Sequence, residues 1–420
     1  MTNQQHRGPF AAMGVLFFMI GFITVLNDIL VPHMKSVFDL SYTQAALIQF
    51  CFFTAYFVIA FPSSVVISRL GYQRSIVVGL AVSAFGTALF YPASNLQSYP
   101  MFLVGLFTLA SGFALLQTAM NPYVAVLGPP HRSSARLVLS QAFNSVGTAL
   151  APLLGSILIL GASMLSREQI ALLTPGAAAS YKTAQAAAVQ VPYIVLTSML
   201  VVLSFIVAKL HLPKIVDVEG DDEKSVKLRD PLKVPHLLKG VVGVFCYVGA
   251  EVGIGSFMVN YFQECIPGIS EQGAAQYVTM YWSGAMIGRF AGTFLLSHVR
   301  PGVLLTIVSL VNVGLTFSST MTSGITAGLL LVACGLQNSI MFPIIFTLAI
   351  KDLGVMTNRA SSWLVAAILG GAVVPQLQGI IADSSGGLRA SYFIPAACFL
   401  YIAYYGGYGS RSRTAKQSVG

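Results

Sequence analysis

The sequence predicts an all-α membrane protein whose helices cross the bilayer twelve times. Three observations predict it. Of the 420 residues, 55% are hydrophobic and only 9% are charged, and the mean hydropathy is +0.77, a composition that soluble globular domains do not show. The apolar residues gather into runs long enough to cross a hydrocarbon core, which takes about 20 residues of helix. The one long polar stretch falls near the middle of the chain, with six such runs on either side of it.

The first run, 11–34, is too long for a signal peptide, lacks a small-residue cleavage site and is followed by further spans, so it is expected to stay in the mature chain. Runs at 43–68 and 73–93 are joined by a short segment holding Arg69 and Arg74, and those at 99–124 and 135–161 complete five spans. The weakly apolar stretch 162–190, made of Ser, Thr, Ala and Gln, is expected to be an external loop carrying at most a short surface helix, with the sixth span at 191–210. Residues 211–237, HLPKIVDVEGDDEKSVKLRDPLKVPHL, hold six of the fourteen acidic residues and many lysines, as a cytoplasmic linker would. The second half repeats the arrangement with runs at 238–263, 271–297, 302–320, 324–351, 359–383 and 388–408. The expected domains are an N-terminal six-helix bundle (1–210), the linker (211–237) and a C-terminal six-helix bundle (238–420).

Lys and Arg set the orientation, because short segments rich in them stay in the cytoplasm. Placing both termini inside leaves Arg7, Arg69, Arg74, Arg132, Arg136, Arg300, Lys351, Arg359, the basic linker and Arg411, Arg413 and Lys416 on the cytoplasmic side. Only Lys35, Arg167, Lys182 and Arg389 fall opposite. The net charge of +9 is therefore topology. It does not mark a nucleic-acid partner, since the basic residues are spread over many loops and form no stripe with interleaved aromatics. Cys51, Cys246, Cys265, Cys334 and Cys398 have neither metal-ligand spacing nor an even count, and read as small core residues.

The halves repeat at an offset of 223 residues, which carries Arg136, Gly147 and Pro152 onto Arg359, Gly370 and Pro375. The same offset takes Asp28 to Glu251, the two acidic residues that lie deep inside apolar runs. A carboxylate at membrane depth costs several kcal/mol unless it is paired, protonated or faces a water-filled cavity, so it marks an ion or substrate pathway. Duplicated halves around a midplane cavity are a transporter's architecture. Enzyme signatures (HExxH, GxSxG, GxGxxG after a strand, a phosphate-cradling loop) are absent from the sequence, and the six histidines lie at span ends or in loops. Neither catalysis nor a cofactor beyond a coupling ion is expected.

Polar residues inside the spans point to the substrate. Gln117 and Asn121 share a face of span four, and Gln141 and Asn144 share one of span five. Asn27 precedes Asp28, Asn260 follows Glu251 in span seven, and Gln337 and Asn338 lie in span ten. Carboxamides offer donors and an acceptor to vicinal hydroxyls without adding charge, which suits a sugar, and an aromatic can stack on the sugar's apolar face. Trp282, Trp363, Tyr56, Tyr123, Tyr261 and Tyr281 are candidate platforms. The competing reading of each amide is helix–helix glue, worth about 0.6 to 2 kcal/mol, and that of each tryptophan is an interfacial belt.

The blocks LNDILVPHM (26–34), LIQFCFFTAYF (47–57), LLQTAMNPYVAVLG (115–128), RLVLSQAFNSVGTALAP (136–152), YVGAEVGIGSFMVNYF (247–262), GGAVVPQLQG (370–379) and IAD (381–383) resemble the fucose and glucose/galactose permease branch of the major facilitator superfamily. The resemblance runs through nearly the whole chain in order. It implies two six-helix bundles in rocker-switch alternating access, and uptake of a glucose/galactose-type monosaccharide in symport with a cation. It also implies ion coupling at Asp28, with Asn27 and Asn121 as oxygen donors if the cation is Na⁺, and cavity amides at Gln117, Asn121, Gln141 and Asn144. Glu251, Asn260, Asn338 and Trp282 complete the candidate substrate contacts. The chain departs from the fucose permeases in carrying Gln117 where they have a glutamate, and from the superfamily in degrading the loop motif between spans two and three to Ser64, Ser68 and Arg69, so its inward gate is expected to latch differently.

Three matters stay open at this stage: which sugar, whether the ion is H⁺ or Na⁺, and whether Glu251 binds substrate, pairs with a base such as Arg289, or braces the bundles. The alternative function is proton-coupled efflux of drugs or metabolites, which the run GTALAPLLGS (147–156) and a two-acid cavity suit, although the glycines and proline are equally explained by close packing and a helix bend. The expected setting is a bacterial inner membrane, with the lipid bilayer and a small-molecule sugar as partners and a monomeric assembly.

Overall fold

The computed structural model describes residues 7–38, 42–158, 172–210, 212–213 and 226–411. Span one is Arg7–Phe38. Spans two and three are the limbs of one 54-residue segment, Tyr42–Asn95, broken at Gly71, whose φ of 76° and ψ of 171° leave the helical region. A side chain at that positive φ would be strained, so glycine makes the turn. Spans four and five are Tyr99–Val126 and Ser133–Leu158, and span six is Pro175–Lys209. Span seven (Pro235–Cys265), eight (Glu271–Leu295), nine (Pro301–Met321) and ten (Gly324–Ala349) follow. Span eleven joins Thr357–Ala366 to Gly370–Ser385 through a 3₁₀ turn, and span twelve (Phe393–Tyr404) ends in a π turn. Among the described residues this makes twelve crossings in two six-helix bundles. Eight segments meet a strict test of length and apolarity; one of them, Phe50–Asn95, has 46 residues. That is about 70 Å of helix at 1.5 Å per residue, enough for two crossings.

Two boundaries differ from the sequence expectation. Residues 175–190 were expected in an external loop, but they extend span six by four turns. Thr174 caps them by accepting from the Ala177 amide, and Pro175 takes the first-turn position. The segment PGAAASYKTAQAAAVQ is only weakly apolar, yet alanine is the strongest helix former. The rest of that expected loop, up to 171, lies outside the described residues. Span seven begins at Pro235, inside the stretch read as linker. Just before it, the Asp230 carboxylate accepts from Lys233 Nζ and the Lys227 amide, both at 2.8 Å, and these bonds hold it below the usual carboxylate range.

The 223-residue repeat appears in the packing. A β-carbon on Gly147 would sit 2.1 Å from the Phe18 carbonyl oxygen, and one on Gly370 would sit 2.1 Å from that of Phe245. Spans five and one therefore cross at backbone contact, as do spans eleven and seven. Gly147→Ala should force the first pair apart at a cost of about 1–3 kcal/mol, the range for overpacking, seen as a lower melting temperature in detergent. Gly314→Ala, with nothing within 4 Å, should leave it unchanged. Equal melting temperatures for the two variants would refute the close crossing.

At the end of the bundle that carries Arg69, Arg74, Arg132, Arg136 and Arg359, the two halves meet. Arg359 Nη1 donates to Ser64 Oγ at 2.8 Å, Tyr72 donates its hydroxyl to Asn358 Oδ1, and the hydroxyl oxygens of Ser134 and Thr347 lie 2.6 Å apart. Trp363 packs edge-on against Phe61, with ring centroids 4.8 Å apart, while its indole N–H donates to the Leu228 carbonyl. Arg136, the repeat partner of Arg359, instead donates to the carbonyls of Val124, Ala125 and Pro129 and holds the end of span four. Ser64, a remnant of the degraded loop motif, thus receives an arginine from the opposite half.

Candidate functional site

Above this closed end, a cavity of about 270 Å³ lies between the halves. Four helices of the first half supply its polar wall: Thr24 from span one, Tyr56 from span two, Gln117 from span four, and Gln141, Asn144 and Thr148 from span five. Spans seven and eight face them with Tyr247, Glu251 and Arg289, and Phe17, Ile20, Phe52, Met120, Val248 and Phe342 fill in between. The lining residues recur three and four apart along each helix (17, 20, 24; 117, 120; 141, 144, 148; 247, 251), the spacing of a single face. Thr24 and Tyr247 stand 223 residues apart, so the repeat also relates these lining residues, which the sequence reading did not single out.

The polar wall is partly pre-organised. Gln117 Nε2 donates to the Tyr56 hydroxyl at 3.2 Å, and Asn144 Nδ2 donates to the Phe17 carbonyl at 2.9 Å, tying span five to span one. Asn144 is therefore both helix glue and lining, with its carboxamide oxygen left for a ligand. Across the cavity the Tyr247 hydroxyl donates to Glu251 Oε1 at 2.7 Å. Arg289 reaches over the divide: Nη1 donates to the Gln141 carbonyl at 3.3 Å and to Ser145 Oγ, while Nε donates to Ser339 O of its own half at 3.4 Å.

Of the residues singled out from sequence, Gln117, Gln141, Asn144 and Glu251 come together here. Asn121 does not line the cavity: it is fully buried, and neither amide atom has a partner. It lies one turn beyond Gln117, towards the closed end. Asn338 is also fully buried; its Nδ2 donates to the Tyr281 hydroxyl and its Oδ1 accepts from Asn312, both at 2.7 Å, while Tyr281 donates onward to the Glu251 main-chain carbonyl at 3.5 Å. It braces span seven from behind. Asn260 borders a separate hollow of about 480 Å³ with Glu264 and Asp383, near the far end of span seven. Trp282 is 45% exposed on the outer surface, edge-on to Tyr281. Tyr123 and Tyr261 are buried elsewhere, so Tyr56 is the one named aromatic platform at the cavity. Asn27 and Asp28 belong to span one, but their side chains lie outside the described residues. Among the described residues no three His, Cys, Asp or Glu side chains group as metal ligands.

Comparison with known proteins adds an independent finding. The family model described as Major Facilitator Superfamily matches residues 13–375. A glucose/galactose transporter of Brucella abortus biovar 1 (strain 9-941) is 44% identical over 416 residues, covering 98% of this chain and 97% of its own. The L-fucose-proton symporter of Escherichia coli (strain K12) is 35% identical over 411 residues, 97% of this chain and 94% of that one. Among solved structures, the transporter FucP in the outward conformation superposes with a TM-score of 0.92 at 34% identity, covering 97% of this chain and all of that one. The proton:xylose symporter XylE, at 14% identity, covers 94% of this chain and 93% of its own with a TM-score of 0.68, a likeness of fold alone.

Proposed function

The chain belongs to the major facilitator superfamily, and from that premise we propose that it carries a glucose/galactose-type monosaccharide across a bacterial inner membrane in symport with H⁺ or Na⁺. The observation that carries this reading is the cavity between the halves, with uncharged amides and hydroxyls on one side and Glu251 with Arg289 on the other. Hydroxyl-rich neutral ligands match such a lining, because each amide can donate and accept in one place. The relatives that cover nearly the whole chain are named as sugar transporters, so efflux of drugs or metabolites is the less favoured function.

Positive loops mark the closed end as cytoplasmic, so the described state is shut towards the cytoplasm. In this scheme the sugar enters from the opposite side, Gln117, Gln141, Asn144 and Glu251 take its hydroxyls, and Tyr56 flanks its apolar face. Asp28 is the proposed coupling carboxylate. It follows Thr24 by four residues on span one and matches Glu251, four residues after Tyr247, through the repeat. An ionised carboxylate at that depth is costly unless a cation neutralises it, so loading on one face and release on the other follow which side is open. The expected assembly is a monomer with both termini in the cytoplasm.

Counterflow tests the substrate class without requiring an ion gradient. Proteoliposomes loaded with unlabelled galactose should take up labelled glucose and galactose transiently, and Gln141→Ala should weaken half-saturation about tenfold, the loss of one or two hydrogen bonds. Absence of exchange with glucose, galactose or fucose, alongside drug-dependent cation leak, would replace this reading with efflux.

A further inference from the structure

Among the described residues that line the cavity, Arg289 is the one bonded to both halves: to Ser339 of span ten in its own bundle, and to Gln141 and Ser145 of span five in the other. The Gln141 and Ser145 bonds lie about 10 Å and about 16 Å up span five from the Ser134–Thr347 contact, seven and eleven residues at ~1.5 Å each. Opening the cytoplasmic end separates span five from spans eight and ten, and the bonds from Arg289 to span five must break. A guanidinium left in a low-dielectric cavity without an acceptor is costly, so the tie yields only when another acceptor is at hand. Glu251 borders the same cavity. The titratable and charged groups facing it are Tyr247 on its own span, Tyr281 and Arg289 on span eight and Tyr56 on span two; the other described lining residues, from spans one, two, four, five, ten and eleven, are uncharged.

We propose that Arg289 is a coupling residue that holds the cytoplasmic end shut through span five and lets go only when Glu251 or bound substrate takes its guanidinium. The inference rests on the transport reading above and deepens it. An empty carrier with ionised Glu251 releases the tie by charge pairing and can return. With Glu251 neutralised by a proton and no sugar bound, the guanidinium keeps its span-five acceptors and the end stays closed, so a carrier without sugar does not cycle in that state. Sugar hydroxyls then supply the acceptors that free Arg289 in the loaded carrier.

The closing experiment reads the tie directly, without sugar, so its failure is separable from failure of the transport reading. Ser134→Cys places a thiol at a position that is 5% exposed inside the closed end, and its alkylation by a maleimide applied from the cytoplasmic side reports opening. Native Cys334, fully buried in span ten, serves as the folding control. Adding Arg289→Gln should speed alkylation several-fold with Cys334 still protected, Arg289→Lys should fall between it and the parent, and Glu251→Gln should slow alkylation below the parent. Unchanged rates in Arg289→Gln, or no slowing in Glu251→Gln, would overturn the proposal. If Arg289→Gln exposes Cys334 as well, Ser145→Ala decides: faster alkylation at position 134 supports the tie, and an unchanged rate overturns it.

Discussion

Oxidising a variant that carries Ser134→Cys and Thr347→Cys should abolish sugar transport, and reductant should restore it. The two hydroxyl oxygens lie 2.6 Å apart across the bundles, and both side chains are buried. Hydrogen-bonded hydroxyls hold their β-carbons close to the ~3.5–4.5 Å that a disulfide requires. Spans five and ten come from opposite halves, so the bridge locks the closed end in the arrangement described here. Alternating access requires that contact to part in every cycle, and the cross-linked fraction should carry no flux at all. Binding of sugar from the open side should survive. Uptake by fully cross-linked protein would mean that substrate leaves by another route.

Asp28→Asn should remove accumulation while leaving exchange. One charge moved across 100 mV is worth about 2.3 kcal/mol, or roughly 40-fold concentration, and an amide at this position has no charge for the ion to neutralise. Counterflow needs only the loaded carrier to move back and forth, which the amide permits. The steady state in this variant should therefore settle at equal concentrations inside and out. Uphill uptake at the wild-type level would remove Asp28 from the coupling mechanism and leave Glu251 as the remaining deep carboxylate.

The twelve crossings were legible because lipid demands one property, apolarity, over a fixed length. Where that property weakens, the reading failed. Residues 175–190 of span six form helix through alanine, whose propensity hydropathy does not register. The cavity was legible in part for a related reason. Spacing alone put Gln117, Gln141 and Asn144 on inward faces, and the repeat tied Glu251 to Asp28. Which inward amides meet the cavity and which meet a neighbouring helix depends on how deep each helix sits, and single-span spacing is silent on that. Asn338, bonded to Asn312 and Tyr281, has the same helical credentials as Gln141 yet faces span nine. The sequence offered Arg289 only as a base that Glu251 could pair with; the approach of span five is what gives it the Gln141 carbonyl and the Ser145 hydroxyl as acceptors. Trp282 shows the reverse case, an attractive sugar platform that packing turns outward.

Gradient-driven accumulation tests cation-coupled sugar symport most directly. Labelled glucose, galactose and fucose would be offered to proteoliposomes under an imposed pH gradient in one set and a sodium gradient in another. One gradient should drive at least one hexose well above its external concentration, the glucose/galactose pair ahead of fucose, and that gradient names the ion. Equilibration of every sugar to its external level under both gradients would contradict coupled symport.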